Sequence, residues 1–183
     1  MKTPACPPQT FFVTLRLADR RSDLLVREVG CLRQALRATL SALPFTVDAA
    51  TVLPALAHMV WVLPEGDASA ASRVLMLKRR FAQLVAPVDV VPQGAGVWHR
   101  DHWICRLETT LEHARHRTVI HQAAVEAGLC AQPQDWPHVS LHRDLRHAAA
   151  APMDHLSRQE KPVKAREAAG IEQPPLREAS LQS

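Results

Sequence analysis

Residues 45–67 read FTVDAATVLPALAHMVWVLPEGD, and this stretch decides the fold. It contains two apolar segments rich in branched side chains, residues 45–53 and residues 58–63, which Pro54 separates. The second segment ends at Pro64-Glu65-Gly66-Asp67, a combination typical of a turn. Two such segments in succession predict a pair of antiparallel strands that form a hairpin.

Helical spacing flanks this hairpin on both sides. Before it, apolar residues recur at steps of three and four from Leu24 to Leu40, and Ser22 or Asp23 can cap the helix. After it, residues 68–85 show the same spacing, with basic side chains on the outer face. The sequence therefore predicts two amphipathic helices, of which the second is basic.

Two further strands and a third helix complete the pattern. Residues 11–17 and 97–107 are predicted as strands, and residues 109–127 as a helix that ends at Gly128. The resulting order is β-α-β-β-α-β-α. It predicts an α+β fold with a ferredoxin-like antiparallel sheet and helices on one face.

Length and composition set the domain organisation. The chain has 183 residues, 22 Lys and Arg, 18 Asp and Glu and 10 His, so its formal net charge is +4. Residues 151–183 contain four prolines, no aromatic residue and equal numbers of acidic and basic residues, a composition that buries little surface. We predict a disordered N-terminus at residues 1–10, one domain at residues 11–147 and a disordered tail at residues 148–183. The positive charge lies in the domain, where it permits a polyanionic partner.

Three features narrow the function. The sequence contains no Tyr, which excludes a phenol as nucleophile or acid. Its four cysteines are widely spaced and form no C-x-x-C pair, so we expect reduced thiols. The sequence offers neither a long apolar segment nor a secretory signal, which favours a cytoplasmic location and no membrane partner.

Several sequence blocks resemble one family of DNA-processing proteins. The blocks, with the spacing between them preserved, run from about residue 11 to residue 146. They are Phe11-Phe12-Val13-Thr14, Val60-Trp61-Val62-Leu63-Pro64-Glu65-Gly66-Asp67, Arg73 with Lys78 and Phe81, Gly96-Val97-Trp98, Gly128-Leu129, Asp135-Trp136-Pro137 and Leu141-His142-Arg143. In these blocks the chain resembles the REP-associated tyrosine transposases, which are single-tyrosine HUH transposases.

The resemblance implies a ferredoxin-like domain that recognises hairpin-forming DNA and cleaves single strands through a covalent phosphotyrosine. Such chemistry needs Mg²⁺ or Mn²⁺ to polarise the phosphate, held by two His that alternate on one strand. A third polar ligand then lies four residues after the Tyr, on the same helix face. The Tyr oxygen attacks phosphorus, which is nucleophilic catalysis.

The family positions in this chain carry other residues. The metal strand falls on Leu56-Ala57-His58, where Leu56 replaces the first His and His58 remains. The nucleophile position, nine residues before Gly128, falls on Val119, and the helix ligand falls on Ala123. The resemblance therefore implies no intact catalytic residue and no bound cofactor.

The sequence offers few residues that could replace the missing nucleophile and metal ligands. Thr118 lies about 100° around the helix from Val119 and should face elsewhere. His116 could face His58 and form a two-ligand metal site, although two ligands bind weakly. His99, His102 and Cys105 match no closed zinc spacing, and we interpret them as exposed side chains. His113, His116 and His121 on the last helix could form a proton-sensitive face, although solvated polar positions explain them at least as well.

Basic residues are expected at the nucleic-acid interface. We assign to it Arg16, Arg20, Arg21, Arg73, Lys78, Arg79, Arg100 and Arg143. A solvated helix face is the alternative for the run from Lys78 to Arg80, and the second basic cluster at Arg16, Arg20 and Arg21 favours phosphate contact. Trp98 is expected in the core, whereas Trp103 is either a core residue or a stacking platform for an unpaired base.

The sequence leads to one main hypothesis and two alternatives. The main hypothesis is a catalytically inactive, transposase-family protein that binds single-stranded hairpin DNA as a monomer or homodimer. A decayed reading frame without selected activity would carry the same substitutions. A regulatory interaction module that kept the fold and lost DNA binding is the third possibility.

Overall fold

The structure is a computed structural model, and it describes residues 9–86 and 96–150. The strands and helices have the following bounds: β1 Gln9–Arg16, α1 Leu24–Arg27, α2 Val29–Ala42, β2 Thr46–Val52, β3 Leu56–Leu63, α3 Ala70–Val85, β4 Trp103–Leu107, α4 Thr110–Glu126 and α5 Leu141–Ala150. A 3₁₀ turn covers Pro133–Asp135. None of the described helices has both the length and the apolar character needed to cross a membrane.

The strands form one antiparallel sheet in the order β2-β3-β1-β4. The hairpin predicted from residues 45–63 is β2 and β3, and β1 lies beside β3 at the centre of the sheet. Across the sheet, Thr51, His58, Thr14 and Trp103 form one row of opposed residues. The α+β, ferredoxin-like fold class is confirmed.

Helices α2 and α3 cover one face of the sheet. Alternate residues of a strand share a face, so Val13, Leu15 and Trp61 point to this layer and pack beside Leu77 and Phe81. Trp61 is fully buried at the centre. Burial on this scale makes truncation of such a ring to Ala cost about 3–5 kcal/mol.

Helix α4 packs on the opposite face, whereas helices were expected on one face only. Ile120 of α4 lies in a cluster with Phe12 and Val60. Thr109 and Glu112 form a capping box at its start. At its end Gly128 has φ +69°, and the amides of Gly128 and Leu129 donate to Val125 and Ala124 in a Schellman arrangement, which confirms the predicted cap.

Several boundaries differ from the prediction. The single helix expected from Leu24 to Leu40 is divided into α1 and α2 at Glu28. The last strand is short, and Trp98 before it makes an isolated bridge to Leu17 instead. β1 begins at Gln9 and α5 reaches Ala150, so the domain extends beyond residues 11–147 at both ends. The rest of the predicted N-terminus and tail lies outside the described residues.

The described cysteines are free. Cys31, Cys105 and Cys130 form no disulfide. Cys6 lies outside the described residues.

Candidate nucleic-acid interface

His58 is held by groups of the protein itself. It lies on β3 opposite Thr14, and its Nδ1 atom is 2.9 Å from the Thr14 hydroxyl. The Phe12 ring stacks on the imidazole with 5.4 Å between centroids. Burial lowers the pKa of His58 below its usual value, because the charged form is desolvated. The imidazole is therefore neutral near pH 7.

The two other family ligand positions are apolar and belong to one cluster. Ala123 is buried with Leu53 and Ala124, and Leu56 packs against them. Trp136 closes the cluster and donates its indole N–H to the carbonyl oxygen of Val52. A methyl group and an isobutyl group have no donor atom for a cation, so these positions do not fit Mg²⁺ or Mn²⁺.

The nucleophile position is an aliphatic surface residue. Val119 is 44% exposed on α4. The hydroxyl of its neighbour Thr118 donates to the carbonyl oxygen of Ala114 in the preceding turn. Val119 has no nucleophilic atom, and the Thr118 hydroxyl is bonded within its own helix.

His116, the candidate partner of His58 in a two-ligand metal site, is hydrogen-bonded within its own helix. Its Nδ1 atom lies 2.8 Å from the carbonyl oxygen of Glu112, and its ring contacts Phe12 at 4.7 Å between centroids. Both imidazoles therefore contact the same phenylalanine. Within residues 9–86 and 96–150, no group of three or more His, Cys, Asp or Glu side chains could hold a metal ion.

A cleft of about 220 Å³ opens on the α4 face of the sheet, beside His58. Its lining comprises Thr14, Arg16, Leu56, Asp101, His102 and Trp103. Thr14 and Arg16 alternate along β1 and so face the same side, and Trp103 lies opposite Thr14 on β4. The cleft combines a cation, a carboxylate, an aliphatic wall and an indole.

Backbone pairing gathers basic residues at one end of the sheet. The amide of His99 donates to the carbonyl oxygen of Arg16, which places Arg100 beside the end of β1. Arg20 and Arg21 follow β1 directly, and both are exposed. Lys78 of α3 donates to the carbonyl oxygen of His99 at 2.8 Å. We define the basic end as Arg16, Arg20, Arg21, Lys78, Arg79 and Arg100.

Arg73 was expected at the nucleic-acid interface, and that expectation is corrected. Its side chain is 1% exposed, and its guanidinium donates to the carbonyl oxygens of Ser69 and Pro44 at 3.1 and 2.8 Å. It also pairs with the Asp67 carboxylate at 2.7 Å. The hydrogen bond from Arg73 holds the pKa of Asp67 below its usual value. Arg73 therefore joins the start of α3 to the segment before β2 and presents no surface to a phosphate.

Arg143 also has partners inside the fold. Its guanidinium donates to the carbonyl oxygens of Val47 and Asp48 on β2. It contacts the Asp144 carboxylate at 3.3 Å. Arg143 thus attaches α5 to β2 and lies apart from the basic end.

An ion-pair network that the sequence analysis missed connects β2, α4 and α5. Arg117 donates to Asp48 at 2.6 Å and to Asp144 at 2.7 Å. His113 contacts Asp48 at 2.9 Å, and His121 lies 3.6 Å from Asp144. The view of these histidines as solvated positions is therefore wrong. These ion pairs join residues that are far apart in sequence, so no local motif predicts them.

Within the part of the chain that the structure describes, His99, His102 and Cys105 belong to no group of three side chains that could hold a metal ion. His99 lies 3.8 Å from the Asp101 carboxylate. His99, His102 and Cys105 are all half-buried, so the expectation that they are exposed is wrong. Trp98 is packed against Phe81 as expected, and its indole N–H donates to the carbonyl oxygen of Lys78.

Comparisons with known proteins are consistent with each other. No protein-family model matches the chain. It is 32% identical over 136 residues to the REP-associated tyrosine transposase of Escherichia coli K12, covering 74% of this chain and 78% of that protein. It is 28% identical over 144 residues to a Haemophilus influenzae protein provisionally named as such a transposase, covering 74% and 81%.

Solved structures give the same result. A REP-associated tyrosine transposase bound to a REP hairpin matches with a TM-score of 0.72 and 27% identity, covering 89% of this chain and 98% of that chain. A provisionally named transposase of Deinococcus radiodurans R1 matches with a TM-score of 0.50 and 14% identity, covering 66% and 94%. The second similarity concerns the fold alone.

Proposed function

The chain belongs to the REP-associated tyrosine transposase family, and we propose that it binds hairpin-forming DNA without cleaving it. Membership supports a transposase-like, DNA-binding protein. The absence of any Tyr from the sequence carries the second half of the proposal. A DNA ligand also agrees with the cytoplasmic location expected from the sequence.

The DNA-binding part rests on the matched structure and on charge. The matched transposase is bound to a REP hairpin. In this chain Arg20, Arg21, Arg79 and Arg100 are exposed at the basic end. Neutralising DNA phosphates with such side chains releases counterions and supplies much of the affinity.

The loss of strand cleavage rests on three positions at once. A phosphotyrosine mechanism needs a nucleophile and a polarising cation. Val119 has no nucleophilic atom, and Leu56 and Ala123 lie in an apolar cluster. His58 alone offers one imidazole, which is bonded to Thr14. We therefore propose that the protein carries no resident divalent cation.

The DNA-binding proposal is tested by titrating the protein into a fluorescently labelled DNA hairpin at several salt concentrations. We expect affinity to fall steeply with salt, with a slope of about −0.7 to −0.9 for each phosphate contact. Arg21→Gln and Arg79→Gln should each reduce that slope by about one contact.

Arg106→Gln is the matched control for this experiment. Arg106 is an exposed arginine of β4 that lies opposite Phe11, towards the start of β1 and away from the basic end. The substitution removes the same charge, and we expect the slope to stay unchanged. Absence of binding, or affinity that does not depend on salt, would refute the proposed DNA contact.

A further inference from the structure

A separate cavity of about 220 Å³ lies on the other face of the sheet, between α2 and the edge strand β2. Helix α2 lines it with Leu32 and Leu36, and the sheet lines it with Ala50 and Met59. Leu77 of α3 closes its inner end. Met59 and Leu77 are both buried, so the cavity reaches from the surface into the main core.

The outer wall of this cavity is the segment after the 3₁₀ turn, which hydrogen bonds fix to β2. The amide of Val52 donates to the carbonyl oxygen of His138 at 2.9 Å, and the amide of Ser140 donates to the carbonyl oxygen of Ala50 at 2.8 Å. The amide of Ala50 in turn donates to the Ser140 hydroxyl at 3.0 Å. The wall is therefore part of the fold, and the cavity is preformed, as ligand sites usually are.

One cation stands at the mouth of the cavity without an anionic partner. Arg33 lines the cavity and is exposed on α2. Within the part of the chain that the structure describes, its guanidinium forms no ion pair. Burial and the charge of Arg33 lower the pKa of His138, which lines the opposite wall, so its imidazole is neutral near pH 7. The mouth therefore carries the single positive charge of Arg33, which attracts an anion.

The volume and the lining select a small ligand with an apolar body. A volume of about 220 Å³ is below the range of about 300–1,000 Å³ for drug-sized ligands. An apolar cavity of about 150 Å³ is enough to bind benzene in another protein. The remaining space leaves room for one acidic group, and a carboxylate matches the two parallel N–H groups of a guanidinium.

We infer that this cavity binds a small carboxylic acid whose apolar body is about the size of a benzene ring. The body lies between α2 and the sheet, and the carboxylate lies at Arg33 and His138. None of the residues that line the cavity belongs to the basic end. The site is therefore distinct from the proposed DNA contact, and it does not depend on that function.

The test is isothermal titration calorimetry of the wild-type protein with phenylacetate, checked by thermal unfolding. We expect saturable binding and a Tm that rises with phenylacetate, because the ligand binds the native state alone. Phenylacetamide has the same shape without the charge and should bind about 10-fold more weakly. Acetate, which lacks the apolar body, should leave Tm unchanged. Arg33→Gln should weaken phenylacetate about 10-fold and leave phenylacetamide within about twofold.

Arg37→Gln is the matched control, because Arg37 is exposed one turn further along α2 and does not line the cavity. It should leave the affinity for phenylacetate unchanged. Ala50→Leu adds three carbons to the lining and should abolish binding of both ligands, with circular dichroism of each variant reporting on the fold.

Three results would overturn the inference. The first is the absence of saturable phenylacetate binding to the wild type up to about 10 mM. The second is equal affinity for phenylacetate and phenylacetamide, or an equal loss in Arg33→Gln and Arg37→Gln. The third is a folded Ala50→Leu protein that keeps the wild-type affinity. DNA binding is measured separately, so none of these results bears on the proposed function.

Discussion

The imidazole of His58 and the hydroxyl of Thr14 share a hydrogen bond of 2.9 Å between the two central strands of the sheet. The bond occupies Nδ1 of the one family ligand that the chain retains. Burial also keeps this imidazole neutral. Leu56 and Ala123 lie in an apolar cluster, so His58 is the only one of the three family ligand positions that carries a donor atom.

Divalent cations should therefore leave the stability of the wild-type protein unchanged. A ligand that binds only the native state raises Tm, so Mn²⁺ titration followed by thermal unfolding measures binding directly. The double variant Leu56→His, Ala123→Asn should start at a lower Tm, because polar groups enter the apolar cluster, and should then be stabilised by Mn²⁺. Adding His58→Ala to it should remove that response. A wild-type Tm that rises with Mn²⁺ would contradict this interpretation of the site.

Restoring the nucleophile alone should not restore cleavage. Val119 is exposed, so Val119→Tyr places a phenol on α4 without disturbing the core. Without a cation to polarise the phosphate, we expect no covalent protein–DNA product on a denaturing gel. The same change combined with Leu56→His and Ala123→Asn is the positive comparison. An adduct formed by Val119→Tyr alone would mean that the metal positions are not limiting.

Substitutions of Arg73 and Arg79 should have different effects, the first on protein stability and the second on DNA affinity. Arg73→Met leaves the Asp67 carboxylate and the Pro44 carbonyl without their partner, and should lower the free energy of unfolding by about 3 kcal/mol in urea titrations. Arg79 is exposed on the same helix, and Arg79→Met should change stability by less than about 0.5 kcal/mol. Its effect should appear in DNA affinity instead. If Arg73→Met left the stability unchanged and weakened DNA binding, Arg73 would be a DNA contact and its assignment to the interior would be contradicted.

Acid should weaken the fold through Asp48. Burial by itself would raise the pKa of Asp48, but hydrogen bonds from Arg117 and His113 outweigh it and hold the pKa below its usual value. A carboxyl whose pKa is lower in the native state contributes stability above its unfolded pKa, near 3.9, and loses it as pH falls through the native pKa. We expect Tm to fall as the pH drops below about 4.

Asp48→Asn is the variant that identifies this group. It should destabilise the protein by about 2 kcal/mol near pH 7, because charge-assisted bonds to Arg117 are lost. It should also flatten the acid dependence of Tm. If the two proteins lost stability in parallel below about pH 4, another group would be responsible.

The local sequence pattern was sufficient to predict the main strands and helices of the fold. The stretch from Phe45 to Asp67 predicted the hairpin, and Gly128 predicted the end of α4. Alternation of apolar residues, branched side chains and turn residues are signals that act over a few positions of the chain. The family resemblance then located Leu56, Val119 and Ala123. That these positions carry apolar side chains could be read from the sequence, since donor atoms are a property of residue type.

Long-range partners could not be read in this way. Arg73 was placed at the surface because an arginine is rarely buried unless paired, and its partners Pro44 and Asp67 are not signalled by helix spacing. Arg117 meets Asp48 and Asp144 only after β2, α4 and α5 have packed. The helix carrying Val119 was likewise expected on the same side as the others, and only the cluster of Phe12, Val60 and Ile120 places it opposite.

The central claim is that the protein binds DNA and forms no covalent bond to it. The most direct measurement is a gel shift of the wild-type protein with structured and unstructured single-stranded oligonucleotides, with and without Mg²⁺, each sample being run again under denaturing conditions. We predict a native shift with hairpin DNA that disappears on denaturation in every sample. A shifted band that survives denaturation would contradict the claim by revealing a nucleophile other than Tyr. Absence of a shift in both gels would contradict the DNA-binding half and favour a decayed reading frame.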